Sequence, residues 1–404
     1  MISIWDPIRR EIDEPGILSR VKAMAYLGRL PFTNQSIELL STISKKLLAA
    51  PEGRAQAQYV ALGYWLRAAA LQKMVGEIEA GLVGRQSALV SRGVALHLPP
   101  TNVDTIFVYS WAVSVLSGNC NVVRLPSTLN AGTAWLVSLI ASVIKQMGEC
   151  ERQVFCSYPH DGVINDAISA NCDLRMIWGG DKKVLTVSKT PIRPDGLSVG
   201  FPDRKSYALI DSPAYREISD TKRDELAAKF FNDIYWFDQM GCGSPRVLFW
   251  IGEPGNLAHD LYGRLLQQAK QKSHKTDDGI AMAKFASLNS VLASGLATKA
   301  THFDNALDVF ETNQVLDVLD LGLGGGILAQ TVISRAIDLA KFVDRRTQTI
   351  AYFGVETEEL KDLAIGIAAR GGYRIVPIGQ ALQFGLTWDG VDLIGHSTRQ
   401  IVIT

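Results

Sequence analysis

Cys242 lies in the segment Asp238-Gln239-Met240-Gly241-Cys242-Gly243-Ser244-Pro245-Arg246, between a helical stretch and an apolar strand. A thiol in that setting is a nucleophile for an activated carbonyl. The flanking glycines remove steric cover from the sulfur, and loops between rigid elements are where reactive groups are held. The competing reading is a small buried thiol, the commoner state of a cysteine. Attack requires the thiolate, a minor species of an ordinary thiol at neutral pH, so the fold has to favour ionisation or supply a base. A helix N-terminus, a bound cofactor's positive charge or a basic residue would each serve, and the sequence leaves the choice open. His160, His259, His274, His302 and His396 are scattered and read as surface or structural residues.

A second group of residues suits a phosphate. Trp178-Gly179-Gly180-Asp181 follows an apolar run and precedes a helical stretch from Lys182. Glycines there let a pyrophosphate approach the N–H groups of a helix N-terminus, although an ordinary strand-to-helix turn has the same appearance. The richer cluster Gly322-Leu323-Gly324-Gly325-Gly326 is not a dinucleotide fingerprint, because it precedes a strand-like run (Ile327 to Ile333) where the fingerprint follows a strand and opens a helix. It reads as a turn near the active site.

The elements that must position these groups belong to an ordered globular chain of 404 residues, 47% of them apolar. That length exceeds what one hydrophobic core supports, so two domains are expected. Lys plus Arg and Asp plus Glu number 41 each, which offers no electrostatic reason for nucleic acid or an anionic membrane. The N-terminus lacks the basic-then-apolar order of a signal peptide. The longest apolar stretches, Ile106 to Leu116 and Ala131 to Ile144, fall short of the ~20 residues of a membrane span and read as buried helices. Five cysteines without a CxxC pair argue against zinc or a disulfide framework and fit a reducing cytoplasm.

Up to about Gly93 the pattern is mainly helical, with apolar residues at three-to-four spacing over Glu38 to Leu48 and Gln56 to Glu79. From Val94 short apolar runs alternate with helical stretches: Val94 to Leu98, Asn121 to Leu125, Gln153 to Cys156 and Arg175 to Trp178. Strand, helix, strand at this spacing implies an α/β architecture with a parallel sheet. A second such region follows Ser206, with strands at Tyr207 to Ile210 and Val247 to Ile251, and helices at Thr221 to Trp236, Leu257 to Gln271 and Ala336 to Val343. The domain boundary is placed near Ser206.

Pro99-Pro100-Thr101-Asn102, Gly118-Asn119 and Val122-Val123-Arg124-Leu125-Pro126-Ser127 resemble, in order and spacing, the cofactor domain of the aldehyde dehydrogenase superfamily. Cys242 falls where that superfamily keeps its nucleophile. Asp238-Gln239, Ser244-Pro245, Trp178-Gly179-Gly180, Arg346-Thr347-Gln348-Thr349, Pro377-Ile378-Gly379 and Trp388-Asp389-Gly390 are similar to the LuxC-type acyl-CoA reductases. Their order from Val94 to the C-terminus is the signal.

The resemblance implies an aldehyde-dehydrogenase-like fold of two Rossmann-like α/β domains. Residues 1–205 are expected to form a helical lead-in and the nicotinamide cofactor domain, and 206–385 the catalytic domain. Residues 386–404 would return to the first domain or to an oligomer interface, where Gln400 to Thr404 is a plausible strand. It also implies reduction of a fatty acyl-CoA or acyl-carrier thioester to the aldehyde through a thioacyl Cys242, with NADPH, or alternatively NADH, as donor. Asn102, with the backbone N–H of Cys242, would hold the oxyanion, unless Asn102 merely caps the following helix. Thr101, Arg124, Ser127, Trp178, Gly179 and Gly180 would contact the cofactor. Arg124 replaces the superfamily's ribose lysine only if the backbone bulges there, since neighbouring strand positions face opposite sides; it would then suit the 2′-phosphate of NADPH.

The superfamily's water-activating glutamate has no counterpart in Val199-Gly200-Phe201-Pro202-Asp203-Arg204-Lys205, although Asp203 is a carboxylate nearby. An acyl-protein synthetase partner and a homo-oligomer are further expectations of the resemblance. The alternatives are an NAD-linked aldehyde dehydrogenase that oxidises aldehydes, or a non-catalytic scaffold of an acyl-transfer complex.

Overall fold

A computed structural model describes residues 2–6, 8–82, 87–100, 105–159, 163–297 and 299–403. The chain divides into two compact units, Met1–Pro202 with Gly385–Thr404, and Asp203–Phe384.

The first unit opens with a hairpin, β1 (Ile2–Asp6) and β2 (Ile8–Ile12), which the helical reading of this region does not contain. Ile2 and Ile4 alternate into the core, and β1 adds antiparallel to the sheet's edge. Five helices follow: α1 (Glu14–Met24), α2 (Asn34–Ala49), α3 (Pro51–Arg54), α4 (Ala57–Trp65) and α5 (Ala68–Ala80). The stretch read as one helix from Gln56 to Glu79 is therefore two. It breaks at Leu66 and Arg67, where Leu66 is fully buried and Arg67 turns to an extended conformation over the Tyr64 ring.

Next come β3 (Ser87–Ser91), β4 (Val94–Leu98), α6 (Ile106–Leu116), β5 (Cys120–Arg124), α7 (Ala131–Gln146), β6 (Gln153–Ser157), α8 (Val163–Ser169), β7 (Leu174–Trp178), α9 (Asp181–Ser188) and β8 (Leu197–Phe201). The sheet order is β2-β1-β6-β5-β4-β7-β8, with β4 to β8 parallel. Helix α6 is apolar on every side and buried along its whole length, as an all-round hydrophobic helix must be. The chain steps from β4 through β5 to β6 in one direction and then crosses to β7 on the other side of β4. The crevice between the C-terminal ends of β4 and β7 is thus a topological switch point, where open α/β sheets bind ligands.

The second unit contains β9 (Lys205–Asp211), α10 (Ser212–Glu217), α11 (Asp220–Tyr235), β10 (Pro245–Ile251), α12 (Asn256–Gln271), α13 (Asp278–Ala293), β11 (Lys299–Phe303), β12 (Leu307–Glu311), α14 (Val315–Leu319), β13 (Ile327–Ile333), a 3-10 helix (Ala336–Phe342), β14 (Thr347–Phe353), α15 (Thr357–Ile367) and β15 (Arg374–Pro377). Its sheet runs β11-β12-β13-β10-β9-β14-β15, parallel except for β11. Two apolar clusters cover its faces, one around Val247, Phe249 and Ile327, the other around Leu248, Trp250 and Leu328. Helix α11 is capped by Ser219, which accepts from Lys222 N–H.

The chain ends in the first unit with β16 (Thr387–Trp388), β17 (Val391–Asp392), α16 (Leu393–Ser397) and β18 (Thr398–Val402). Strand β18 pairs antiparallel with β3 and leaves Ile401, Val402 and Ile403 exposed. No helix among the described residues is long and apolar enough to cross a membrane.

Candidate active site

Cys242 is half-buried in the turn that leads into β10. Two residues just before it, Asp238 (φ 47°) and Gln239 (φ 61°), are held in the left-handed region, which costs free energy for side chains other than glycine. Gln239 is fully buried, and its amide explains why the conformation persists. Its Nε2 donates to the carbonyls of Pro245 and Ile327, both at 2.8 Å, and its Oε1 accepts from Gly326 N–H at 3.0 Å and Ile327 N–H at 3.1 Å. Gly325 N–H adds a bond of 3.0 Å to the Asp238 carbonyl. The turn at Gly322–Gly326, with positive φ at Gly322, Gly325 and Gly326, is thereby fastened to the cysteine loop.

On the other side, Ser206 Oγ donates to the Cys242 carbonyl at 2.7 Å and accepts from Thr349 N–H at 3.1 Å. Three motifs far apart in sequence (Asp238 to Arg246, Gly322 to Gly326 and Arg346 to Thr349) meet at the N-terminal rim of one parallel sheet. The ladder breaks register there twice, between Pro245 and Val247 and between Thr347 and Ile350. Bulges of this kind re-aim side chains beside active sites.

The first bulged residue is Arg246. Its guanidinium donates to the carbonyls of Leu323 and, at 3.4 Å, Gln239, while its Nε is buried with no hydrogen-bond partner among the described residues. Burial lowers the Arg246 pKa, and the Cys242 thiolate, followed by Asp203, pulls it back up. That attraction is mutual. A guanidinium fixed in a poorly solvated position favours the thiolate over the thiol, and it is the basic residue that the sequence does not single out. The signal was present only as an arginine four residues after the cysteine, at a strand start.

The glycines beside Cys242 have a packing role as well as an opening one. A Cβ on Gly243 would lie 2.5 Å from the Ala381 carbonyl oxygen, and one on Gly241 would lie 3.1 Å from Leu382 Cδ2. Gly243→Ala is expected to lower the melting temperature and cost about 1–3 kcal/mol by overpacking, checked by denaturant titration.

The segment they touch is fixed by Asp233 on α11, whose carboxyl accepts from Gly379 N–H at 2.6 Å and Ala381 N–H at 3.0 Å. Burial raises its pKa to about 7, against the pull of those two N–H donors. The folded chain therefore binds this proton more tightly than the unfolded chain. Asp233's contribution is most favourable below the ordinary carboxylate pKa and is lost as pH rises from about 4 to about 7. Asp233→Asn is expected to flatten stability over that window, as shown by melting curves of both proteins from pH 4.5 to 8. An unchanged difference between them would contradict this assignment.

In the first unit Trp178, Gly179 and Gly180 lie at the switch point, whereas Arg124 and Ser127 lie at the end of β5. Trp178-Gly179-Gly180 ends β7 and opens α9 at an N-cap with no side-chain bond. Gly179 has φ 146°, and a Cβ there would sit 2.9 Å from Lys183 Cδ, so the turn needs glycine. The Trp178 side chain is committed to packing. It stacks on Phe201 at 3.8 Å, donates Nε1–H to Ser110 Oγ at 3.2 Å and lies 6.4 Å from Trp388, which joins the Trp-Gly-Gly and Trp-Asp-Gly motifs.

Ser127 is exposed in the bend after β5. Arg124 ends β5 in an unbroken register with β6, so the bulge required for it to replace a ribose lysine is not there. Its NH2 donates to the Tyr158 carbonyl at 3.1 Å, and its guanidinium lies over the Tyr158 ring. Lys183, which the sequence reading passed over, donates to the carbonyls of Leu98 at 3.2 Å and Pro99 at 2.7 Å. Burial, then Arg124, lowers its pKa to about 8. The switch-point crevice, the glycine turn and this lysine fit the pyrophosphate end of a dinucleotide.

Thr101 and Asn102 lie outside the described residues. The N-cap of α6 is Thr105, which makes no side-chain cap bond. His97, also absent from the sequence candidates, is buried between Ser110 and Asn121, and burial lowers its pKa to about 4. It is a neutral core histidine.

Residues 83–397 match the model of the family described as acyl-CoA reductase (LuxC). Long-chain acyl-protein thioester reductase 2 of Photobacterium leiognathi is 25% identical over 185 residues, which are 44% of this chain and 36% of that protein. The match thus spans about a third of that relative's length. The NAD-dependent aldehyde dehydrogenase from Sinorhizobium meliloti superposes with a TM-score of 0.69 at 13% identity, covering 96% of this chain and 86% of its own. Glyceraldehyde-3-phosphate dehydrogenase GapN from Methanocaldococcus jannaschii, complexed with NADP, gives 0.65 at 12% identity over 98% and 95% of the two chains. At these identities the likeness is one of fold: each unit is built on a Rossmann-like sheet, as in aldehyde dehydrogenases.

Proposed function

The chain belongs to the acyl-CoA reductase (LuxC) family, and on that footing we propose that it reduces a fatty acyl thioester to the aldehyde, with NADPH as hydride donor and Cys242 as the acyl carrier. The observation that carries this reading is the Cys242 loop, locked by Gln239, with the half-buried guanidinium of Arg246 electrostatically coupled to the Cys242 sulfur.

The Cys242 thiolate attacks the thioester carbonyl. A carbon–sulfur bond forms to Cys242, the carrier thiolate leaves, and it takes a proton from solvent. Asn102 and the Cys242 backbone N–H are the proposed donors to the transient oxyanion, a role in which one donor is worth about 3 kcal/mol. When bound, the nicotinamide supplies a hydride to the thioacyl carbon. Collapse of the resulting thiohemiacetal releases aldehyde and returns the thiolate to the field of Arg246. Gly179, Gly180 and Lys183 are the proposed contacts for the cofactor's pyrophosphate end, with Thr101, Arg124 and Ser127 as neighbours of its adenosine portion.

The stretch where related enzymes keep a water-activating glutamate is here β8 and the start of β9, and its one carboxylate, Asp203, acts on Arg246. This supports discharge to hydride rather than to water. Acyl-CoA or an acyl protein is the proposed substrate. An acyl-protein synthetase partner, a cytoplasmic setting and a homo-oligomer belong to the same reading, the last supported by the exposed apolar edge at Ile401, Val402 and Ile403.

The test follows NADPH absorbance with acyl-CoA thioesters while trapping aldehyde with a hydrazine. Stoichiometric aldehyde is expected. Free acid formed from aldehyde and oxidised cofactor, without a thiol acceptor, would overturn the reading.

A further inference from the structure

Helix α13 (Asp278–Ala293) is turned inside out relative to an ordinary surface helix. Its apolar side chains Met282, Phe285 and Leu292 are exposed, while its single lysine, Lys284, is buried. Taking an ammonium out of water is costly unless it is paired and hydrogen-bonded, so the partners of Lys284 matter. Its Nζ donates to the Asn305 carbonyl at 2.8 Å and lies 3.2 Å from Oδ2 of Asp308, which is itself buried. The other Asp308 oxygen accepts from His302 Nδ1 at 2.6 Å. Lys284 thus ties α13 to the turn between β11 and β12.

That turn bears on the glycines that hold the cysteine loop. Asp308 N–H donates to the Gly326 carbonyl at 2.9 Å. A Cβ on Gly326 would lie 2.1 Å from the Ala306 carbonyl oxygen, which accepts from Tyr235 Oη at 3.0 Å. From the other side, a Cβ on Gly325 would lie 2.7 Å from Ile280 Cγ2 and 3.5 Å from Lys284 Cβ. Gly325 and Gly326 are therefore gripped between α13 and the β11–β12 turn. They are also the residues that donate to the Asp238 carbonyl and to Gln239 Oε1, and Leu323 in the same glycine turn accepts from the Arg246 guanidinium.

We propose that Lys284 and Asp308 are positioning residues for Cys242. Their buried pair clamps the Gly322–Gly326 turn, and through the Leu323 carbonyl the clamp sets where the Arg246 guanidinium stands relative to the sulfur. This role deepens the reading of Cys242 as the acyl carrier and rests on it. A pair that only anchored α13 would add stability and leave the field at the sulfur unchanged.

Alkylation of Cys242 by neutral iodoacetamide and by anionic iodoacetate, at one pH on the full chain and read by peptide mass spectrometry, separates the two roles. Both reagents attack the same thiolate, so its abundance cancels in the ratio of their rates, and the ratio reports the positive charge beside the sulfur. In Lys284→Met the preference for iodoacetate is expected to fall about threefold or more. That variant leaves Asp308 buried without its cation, so Lys284→Met/Asp308→Asn, which carries neither charge, is the second variant and should show the same fall. Val291→Ala, which weakens the packing of the same helix on the core, should lower the melting temperature and keep the parent ratio. A parent-like ratio in the double variant, or an equal fall in Val291→Ala, would overturn the proposal. Acylation by acyl-CoA is scored separately: a Cys242 that takes no acyl group while the ratio falls as stated sinks the reductase reading and leaves the clamp standing.

Discussion

Arg246→Met is expected to lower kcat/KM for an acyl thioester by about two orders of magnitude at neutral pH and to displace the ascending limb of its pH profile upward. A guanidinium close to a thiolate in a poorly solvated site is worth about 2–3 kcal/mol at an effective dielectric near 20, or about two pH units of ionisation. The sign follows from the charge. Removing the cation penalises the thiolate, so more base is needed to form it, and the activity lost at pH 7 should return in part at pH 9. Arg246→Lys keeps the charge but cannot span the carbonyls of Leu323 and Gln239 with one point donor. Its limb should stay near that of the parent while its melting temperature falls. An unmoved limb in Arg246→Met would show that the guanidinium only braces the loop.

Gln239→Leu should have the largest effect on stability. The leucine fills the space but leaves the carbonyls of Pro245 and Ile327 and the N–H groups of Gly326 and Ile327 without their partner. Buried groups stripped of a partner cost about 1–3 kcal/mol each. Even with relaxation the sum approaches 4 kcal/mol, which corresponds to roughly 10 °C in a unit of this size. Below its melting point the variant should also alkylate Cys242 more slowly with iodoacetamide, read by peptide mass spectrometry, because the strained turn at Asp238 and Gln239 is free to relax. Parent-like stability and alkylation would refute the role assigned to this amide.

Strands β4 to β7, β9, β10 and β13 were legible because each is a short apolar run bounded by turn residues, and burial on both faces leaves no other pattern for a central parallel strand. In contrast, β8, β11, β12, β14 and β15, with polar residues within their runs, were not read as strands. The N-terminal hairpin was not legible either. Its inward residues Ile2 and Ile4 are too few to show a period, and its strand identity comes from pairing with Ser157 and Cys156. The break at Leu66 and Arg67 was hidden for a related reason, since both halves carry helical spacing and only the burial of Leu66 sets the kink.

At the site, Cys242 stood out through its small neighbours, yet Gly243 is glycine because Ala381 passes over it. Gln239, Arg246 and Lys183 carry ordinary side chains whose roles depend on carbonyls contributed by distant parts of the chain. No local pattern announces them. Arg124 shows the converse: its type is visible in the sequence, but the unbroken ladder and the Tyr158 carbonyl that set where its guanidinium lies are not.

The central claim is that Cys242 carries an acyl group that a hydride removes. Intact-mass spectrometry tests it most directly, by mixing the protein with acyl-CoAs of several chain lengths and then adding NADPH or NADH. The account predicts a mass increase equal to one acyl group, absent in Cys242→Ala and discharged by one of the two reduced cofactors. No adduct from any acyl thioester, or an adduct that persists in Cys242→Ala, would contradict it.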